Sequence, residues 1–212
     1  MTMTLKLAKE IAGTLGNPSK MPGKSYGIPA IACNVGSILA KLKGTVCHKC
    51  YAMKGNYLFP SVVKAQRKRL ASLYHELWRD AMVRQILHAN ENEFRWHDSG
   101  DLQSMQHLLN ILDVARRTPD VDHWLPSKEA QLIHKFAKLY GMDAIPDNII
   151  IRISGTKVNG KATNKWPWTS TVHDPGKEWI GEECKAYTRQ GKCGPCRICW
   201  DKSIANVSYP KH

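Results

Sequence analysis

Between residues 94 and 153 the chain repeats one rhythm: a short apolar run, a polar turn, then a segment with apolar residues at helical spacing. Phe94-Arg95-Trp96 leads into His97-Asp98-Ser99-Gly100-Asp101. A helix is predicted from about Gln103 to Arg116, with Met105, Leu108, Leu109 and Leu112 on one face. Val121 to Leu125 is the second run, ending at Pro126-Ser127-Lys128-Glu129. Ser127 suits an N-cap, and Leu132, Ile133, Phe136 and Leu139 line the next helix, which Gly141 stops. The third run, Ile149-Ile150-Ile151-Arg152-Ile153, is the clearest strand and ends at Ser154-Gly155. Strand, polar loop and helix in repetition call for parallel strands joined by helical crossovers.

The flanks extend the pattern. Residues 1 to 26 read as a short helix followed by a loop, and Ile28 to Ala32 as a buried strand with Cys33 at its end. Gly36 to Lys43 suits one or two helical turns. A long helix is predicted from Pro60, with Val63, Leu70, Leu73, Leu77 and Ala81 sharing a face. Residues 156 to 168 are loop-like and basic, and Thr169 to Val172 is a further strand ending at His173-Asp174. A complete eight-stranded barrel needs about 250 residues, more than the 212 present. The expected fold class is therefore α/β: a shortened, partly open parallel (β/α) barrel over 1–174, with a small cysteine-rich unit over 175–212.

In such barrels chemistry gathers at the C-terminal ends of the strands. Here these ends carry Cys33; His97, Asp98 and Ser99; Ser127, Lys128 and Glu129; Arg152 and Ser154; His173 and Asp174. A single Ser or Asp after a strand is usually a helix cap, but five strand ends agree. His75, His88, His107 and His134 fall on predicted helices and read as surface or packing residues.

The seven cysteines divide into three and four. Cys33, Cys47 and Cys50 form a C-x13-C-x2-C array, in which a tight C-x2-C turn aims two thiolates at one centre. Three thiolates leave one iron of a [4Fe-4S] cluster open to a ligand. Cys184, Cys193, Cys196 and Cys199 form C-x8-C-x2-C-x2-C, four ligands within sixteen residues and enough to close a site. The compressed run suits a second cluster, and zinc held by four thiolates is the alternative. The two groups could also exchange a ligand, through Cys184 or Cys33.

Lys and Arg number 31 against 18 Asp and Glu, a formal charge of +13 that favours nucleic acid or another polyanion as partner. No apolar run is long enough to cross a bilayer, so no membrane partner is expected. The first residues lack a secretory apolar region, which points to the cytoplasm, the host's if the protein is phage-encoded. Seven cysteines in that reducing compartment suit metal ligation better than disulfides.

The cysteines running into Cys50-Tyr51-Ala52 resemble the cluster loop of the radical S-adenosylmethionine (SAM) superfamily. That resemblance implies a [4Fe-4S] cluster on Cys33, Cys47 and Cys50, with SAM chelating the open iron beside Tyr51. Ser99-Gly100-Asp101 is placed like the loop that takes the SAM amino group. Ser127, Lys128, Glu129 and Arg152 stand where family members contact its carboxylate or ribose. The superfamily's usual spacing is C-x3-C-x2-C, and its Gly-Gly-Glu loop is absent here. The chain also resembles short phage-encoded proteins of unassigned function, which share the C-Y-A segment, a W-H-D-S-G-D-like segment and a terminal K-C-G-x-C-x-x-C-W. The expected function is an iron–sulfur protein with a radical-SAM-like site, fed by an electron donor. The alternative is a zinc-stapled basic protein that binds nucleic acid or hydrolyses its substrate.

Overall fold

Strand β4 (Ile149–Val158) sets the layering of the computed structural model, which describes residues 3–211. Ile149, Ile151 and Ile153 enter one core, Ile150 enters a second, and the period of two puts Arg152 on the same side as Ile150. The first core is shared with helices. Ala8 and Ala12 come from α1 (Leu5–Ala12), Trp78, Ala81, Met82 and Ile86 from α4 (Trp78–Ala89). Leu108, Ile111, Leu112 and Ala115 come from α5 (Met105–Arg116), and Ile133 and Phe136 from α6 (Ala130–Tyr140). The second core holds Trp124, Ile150 and Val207 from the sheet against Cys199 and Trp200. Helices thus cover one face, and the C-terminal cysteine segment covers the other.

The remaining strands are β1 (Lys24–Tyr26), β2 (Glu93–Trp96), β3 (Asp122–Ser127), β5 (Thr169–His173), β6 (Glu182–Glu183) and β7 (Asn206–Pro210). All pairings are parallel, in the order β1-β2-β3-β4-β5-β7-β6. The order follows the chain through β5, as a barrel's does. Edges β1 and β6 leave the sheet open, which fits a partial (β/α) barrel. Because every strand runs the same way, all the C-terminal ends lie along one rim.

Several expectations are corrected. The first strand is Lys24–Tyr26, not Ile28–Ala32. Ile28 adds one more ladder bond, to the Ser99 carbonyl (3.0 Å), after which Ala30–Ala32 closes a 3-10 turn. The long helix from Pro60 is two, α3 (Pro60–Ser72) and α4, and His75 falls in the break. No proline or glycine marks that break. It is set by Tyr26, whose hydroxyl donates to the Ala12 carbonyl (2.6 Å), meets Ser72 Oγ (3.1 Å) and accepts from Trp78 Nε1 (3.1 Å). Helix α2 (Asn34–Leu39) starts and stops earlier than Gly36 to Lys43, and β4 runs on to Val158, into the segment read as loop. The cap of α6 falls on Glu129, and Ser127 is a strand residue whose Oγ accepts from the Glu129 amide (3.0 Å). Within 175–212, β7 pairs with β5, so this segment completes the sheet as well as carrying cysteines.

Candidate metal centre at the strand ends

After β1 the chain crosses the rim. Cys33 ends the 3-10 turn and precedes α2, and the loop then reaches β4. The Val46 amide donates to the Thr156 carbonyl (2.9 Å) and the Val158 amide to that of Gly44 (3.0 Å). The Cys50 amide closes on the Cys47 carbonyl (3.1 Å), with Lys49 left-handed at φ 61°, so the C-x2-C turn is tight. Cys33 and Cys47 meet over Gly36. A Cβ there would sit 3.4 Å from one sulfur and 3.7 Å from the other. Burial pushes the Cys33 thiol up to about 12, and the neighbouring charges of Asp101, Cys47, Cys50 and Glu129 add to it. Burial raises Cys47 too, while Lys128 works against the rise. Cys33 and the Cys47–Cys50 turn therefore share one electrostatic environment.

The wall beside them comes from β2 and β3. Asp101 is buried and accepts from Ser127 Oγ (2.6 Å), the Leu102 amide (2.8 Å) and the Lys128 amide (2.8 Å). Burial still lifts its carboxyl to about 6. Glu129 Oε1 accepts from the Val35 amide (2.9 Å), tying α2 to the end of β3, and Lys128 Nζ donates to the Gly155 carbonyl (3.1 Å). Gly100 turns at φ 82° against Ile28, where a side chain would collide. Ser99 Oγ and Asp98 Oδ1 are buried without a partner. Tyr51 exposes its ring but sends its hydroxyl inward to the Asp98 carbonyl (2.7 Å).

Arg152 is placed otherwise than the resemblance implies. Fully buried, it donates to five carbonyls: Cys199 (3.0 Å), Thr169 (3.3 Å), Ile204 (2.9 Å), Ile198 (3.1 Å) and Asp201 (2.8 Å). Guanidinium has five N–H donors, so none is left for a ligand. Its place is to hold the turn that carries Cys199.

The second group lies across the helix-free face. Trp200 packs edge-on against Trp124 (5.1 Å) and donates to the Phe94 carbonyl (3.2 Å), while Arg197 pairs with Glu93. The Cys193 amide reaches the Lys20 carbonyl (2.9 Å), the Cys184 amide that of Ser208 (2.8 Å), and Cys199 Sγ meets the Tyr209 hydroxyl (3.2 Å). Cys184 is in the field of Cys196, and Cys193 is in the field of both. Burial pushes Cys199 up to about 12, and Cys184 adds to the rise. As the side chains stand, no three His, Cys, Asp or Glu among the described residues are gathered tightly enough for a single metal ion.

Arg95, on the helix-free face of β2, escaped the sequence reading. Its guanidinium donates to the Tyr51 hydroxyl (3.4 Å) on one side, and its charge reaches Cys193 and Cys199 on the other. The one available signal was its central place in the run Phe94-Arg95-Trp96. His97 is also unusual: left-handed at φ 54°, buried, and without a partner at either ring nitrogen. It stands 5.3 Å from the His107 ring, in the helix-side layer.

Compared with known families, residues 3–202 match the family described as Gene product 88. The chain belongs to that family. The Gene product 88 description attaches no activity, in keeping with the phage gene products of unassigned function that the sequence resembles. No curated protein and no solved structure matches the chain significantly. The family match covers both cysteine groups, from Cys33 to Cys199. Among the described residues no helix is long and apolar enough to cross a membrane.

Proposed function

We propose that this chain is an iron–sulfur protein with a radical-SAM-like open site: Cys33, Cys47 and Cys50 hold one [4Fe-4S] cluster, and Cys184, Cys193, Cys196 and Cys199 hold a second. The observation that carries this is the sorting of seven cysteines into one set of three at the strand-end rim and one of four on the helix-free face. The local structure suits such groups. Gly36, lacking a side chain, leaves open the space beside the sulfurs of Cys33 and Cys47. A cubane cluster supplies electron transfer and, where one iron has no thiolate, a coordination position for a small chelating ligand.

The chain's own residues then have separate tasks. Lys128, fixed through its amide by Asp101 and through its ammonium by Gly155, is a cation whose charge reaches Cys47. It is the partner for a carboxylate such as that of SAM, now that Arg152 is committed elsewhere. Both Asp101 oxygens are already used, and Asp98 Oδ1 and Ser99 Oγ are the acceptors of the same loop left without a partner. Tyr51 and Glu129 brace the cysteine loop, one against β2 and the other against α2.

Anaerobically prepared protein should be brown, with iron and acid-labile sulfide in excess of one cubane per chain. Colourless protein carrying stoichiometric zinc would overturn the reading. With two clusters present, SAM should shift the electron paramagnetic resonance of one alone, and Cys50→Ala should abolish that shift.

A further inference from the structure

The positive charge of this protein is not spread along the chain. From Ile11 to His75 there is no Asp or Glu, yet this stretch carries ten Lys and Arg, leaving a net +3 for all other residues. Arg69 is buried and used in the fold, donating to the carbonyls of Thr14 (2.8 Å) and Gly27 (3.0 Å). Lys41, Lys43, Lys49 and Lys54 are exposed, and none is paired with a carboxylate among the described residues. They belong to one knot over the rim. The Thr45 hydroxyl donates to the Leu39 carbonyl (2.6 Å), the His48 ring meets the Ala40 carbonyl (3.2 Å), and Tyr51 packs edge-on to Tyr57 (5.7 Å).

The same knot exposes apolar and aromatic side chains. Ile31 is 75% exposed, Tyr51 59% and Phe59 55%. Cations with no counter-charge beside exposed rings match a strand of phosphates carrying unpaired bases. The phosphates take the lysines, and the bases take the ring faces. A duplex hides its base faces and would meet the lysines alone.

We propose that the face built by residues 31–59 binds single-stranded nucleic acid across the mouth of the three-cysteine site. The proposal goes beyond the iron–sulfur reading and does not rest on it, because lysines and rings, not thiols, make the contacts.

The test is fluorescence anisotropy of the full chain with a labelled 20-nucleotide oligo(dT), against a duplex of equal length, over a salt series. The single strand should bind more tightly than the duplex. Replacing Lys41, Lys43, Lys49 and Lys54 by Gln should weaken binding by at least about tenfold and lower the salt slope by up to about 3. The same change at Lys6, Lys9, Lys135 and Lys138, exposed on α1 and α6, removes equal charge and should cost far less. Phe59→Ala should lose about fivefold or more in single-strand affinity at an unchanged slope. Circular dichroism checks that each variant is folded. Equal losses from the two lysine sets would make net charge the whole effect and overturn the proposal. Equal duplex affinity, absence of oligo(dT) binding, or binding only to phosphatidylserine vesicles would overturn it too. None of these readings depends on metal content, so they separate this proposal from the iron–sulfur one.

Discussion

The guanidinium of Arg95 lies 4.5 Å from the centre of the Trp124 ring, between neighbouring strands where the two residues are paired in register. The stacking holds a cation flat on the helix-free face, and a sulfur contact from Met21 (2.8 Å) fixes one end of it. Tyr51 then stands on one side, next to Cys50, and Cys193 and Cys199 on the other. Arg95 Nε has no partner although it is buried. One charge thus stands between Tyr51 of the first cysteine loop and the second thiol group, and the β2–β3 register puts it there.

Removing that charge should act on the second group first. Positive charge beside a cluster favours its reduced, more negative state. Arg95→Met keeps the length and apolar contact, so the C-terminal centre should become harder to reduce while its iron content holds. A redox titration followed by electron paramagnetic resonance reads this, and an unchanged potential would remove Arg95 from the account.

Arg152 makes a different kind of prediction. Five carbonyls lose their donor in Arg152→Met, and a buried unsatisfied acceptor costs about 1–3 kcal/mol before relaxation or entering water. Destabilisation should reach at least about 3 kcal/mol in urea unfolding. Arg152→Lys should recover little, since an ammonium cannot reach five carbonyls in a plane. A loss below about 1 kcal/mol would mean that the 198–204 turn holds without it.

These two arginines show where the sequence stopped being legible. Strands β2 to β4 could be read because each carries an apolar run closed by a polar turn. The two cysteine sets could be read because ligand spacing is local. Strand β1 could not: Lys24-Ser25-Tyr26 has no apolar signature and becomes a strand by pairing with Phe94-Arg95-Trp96, seventy residues on. Strand β6 is two glutamates, defined only by its neighbour β7. The break between α3 and α4 depends on Tyr26, and the roles of Arg95 and Arg152 depend on what the C-terminal segment lays over the sheet. Each of these is a tertiary fact without a local signal. The resemblance put Arg152 at a strand end, but β4 runs on to Val158, so Arg152 is a mid-strand residue whose side chain faces the segment that covers the sheet.

Buried histidines set a pH dependence. His123 Nδ1 accepts from Trp96 Nε1 (3.2 Å), so its proton sits on Nε2 toward Thr118 Oγ1 (2.8 Å), whose hydroxyl donates to the Val114 carbonyl (2.9 Å). Burial lowers His123 and His107 from 6.5 to about 3, and lowers His97 as well. Between about pH 6.5 and 3 the unfolded chain therefore binds more protons, and stability falls as pH falls, by about 1.4 kcal/mol per unit for each histidine. Asp101 opposes this from about pH 6 down to 3.8, because its raised carboxyl takes up a proton in the folded state first. Three groups outweigh one. Urea midpoints should drop steadily from pH 6.5 to 4, and His123→Gln should make the drop shallower. A flat profile would mean that these imidazoles are protonated in the fold.

Gly36 offers the sharpest separation of the two thiol groups. It lies in α2, where Ala would by itself favour the helix by up to about 1 kcal/mol. Its added Cβ, however, would sit 2.9 Å from Cys33 Cβ and intrude beside the sulfurs of Cys33 and Cys47. Gly36→Ala should therefore fold with a melting temperature near that of the parent and fail to load the first site. Cys184, Cys193, Cys196 and Cys199 lie on the opposite side of Arg95 and should keep their metal. Iron per chain should fall by about half in a protein carrying two like clusters. The remaining paramagnetic signal should no longer respond to SAM. Full iron in both sites would show that Cys33 can shift aside, or is not a ligand. Loss from both would mean that the two groups fill as one unit.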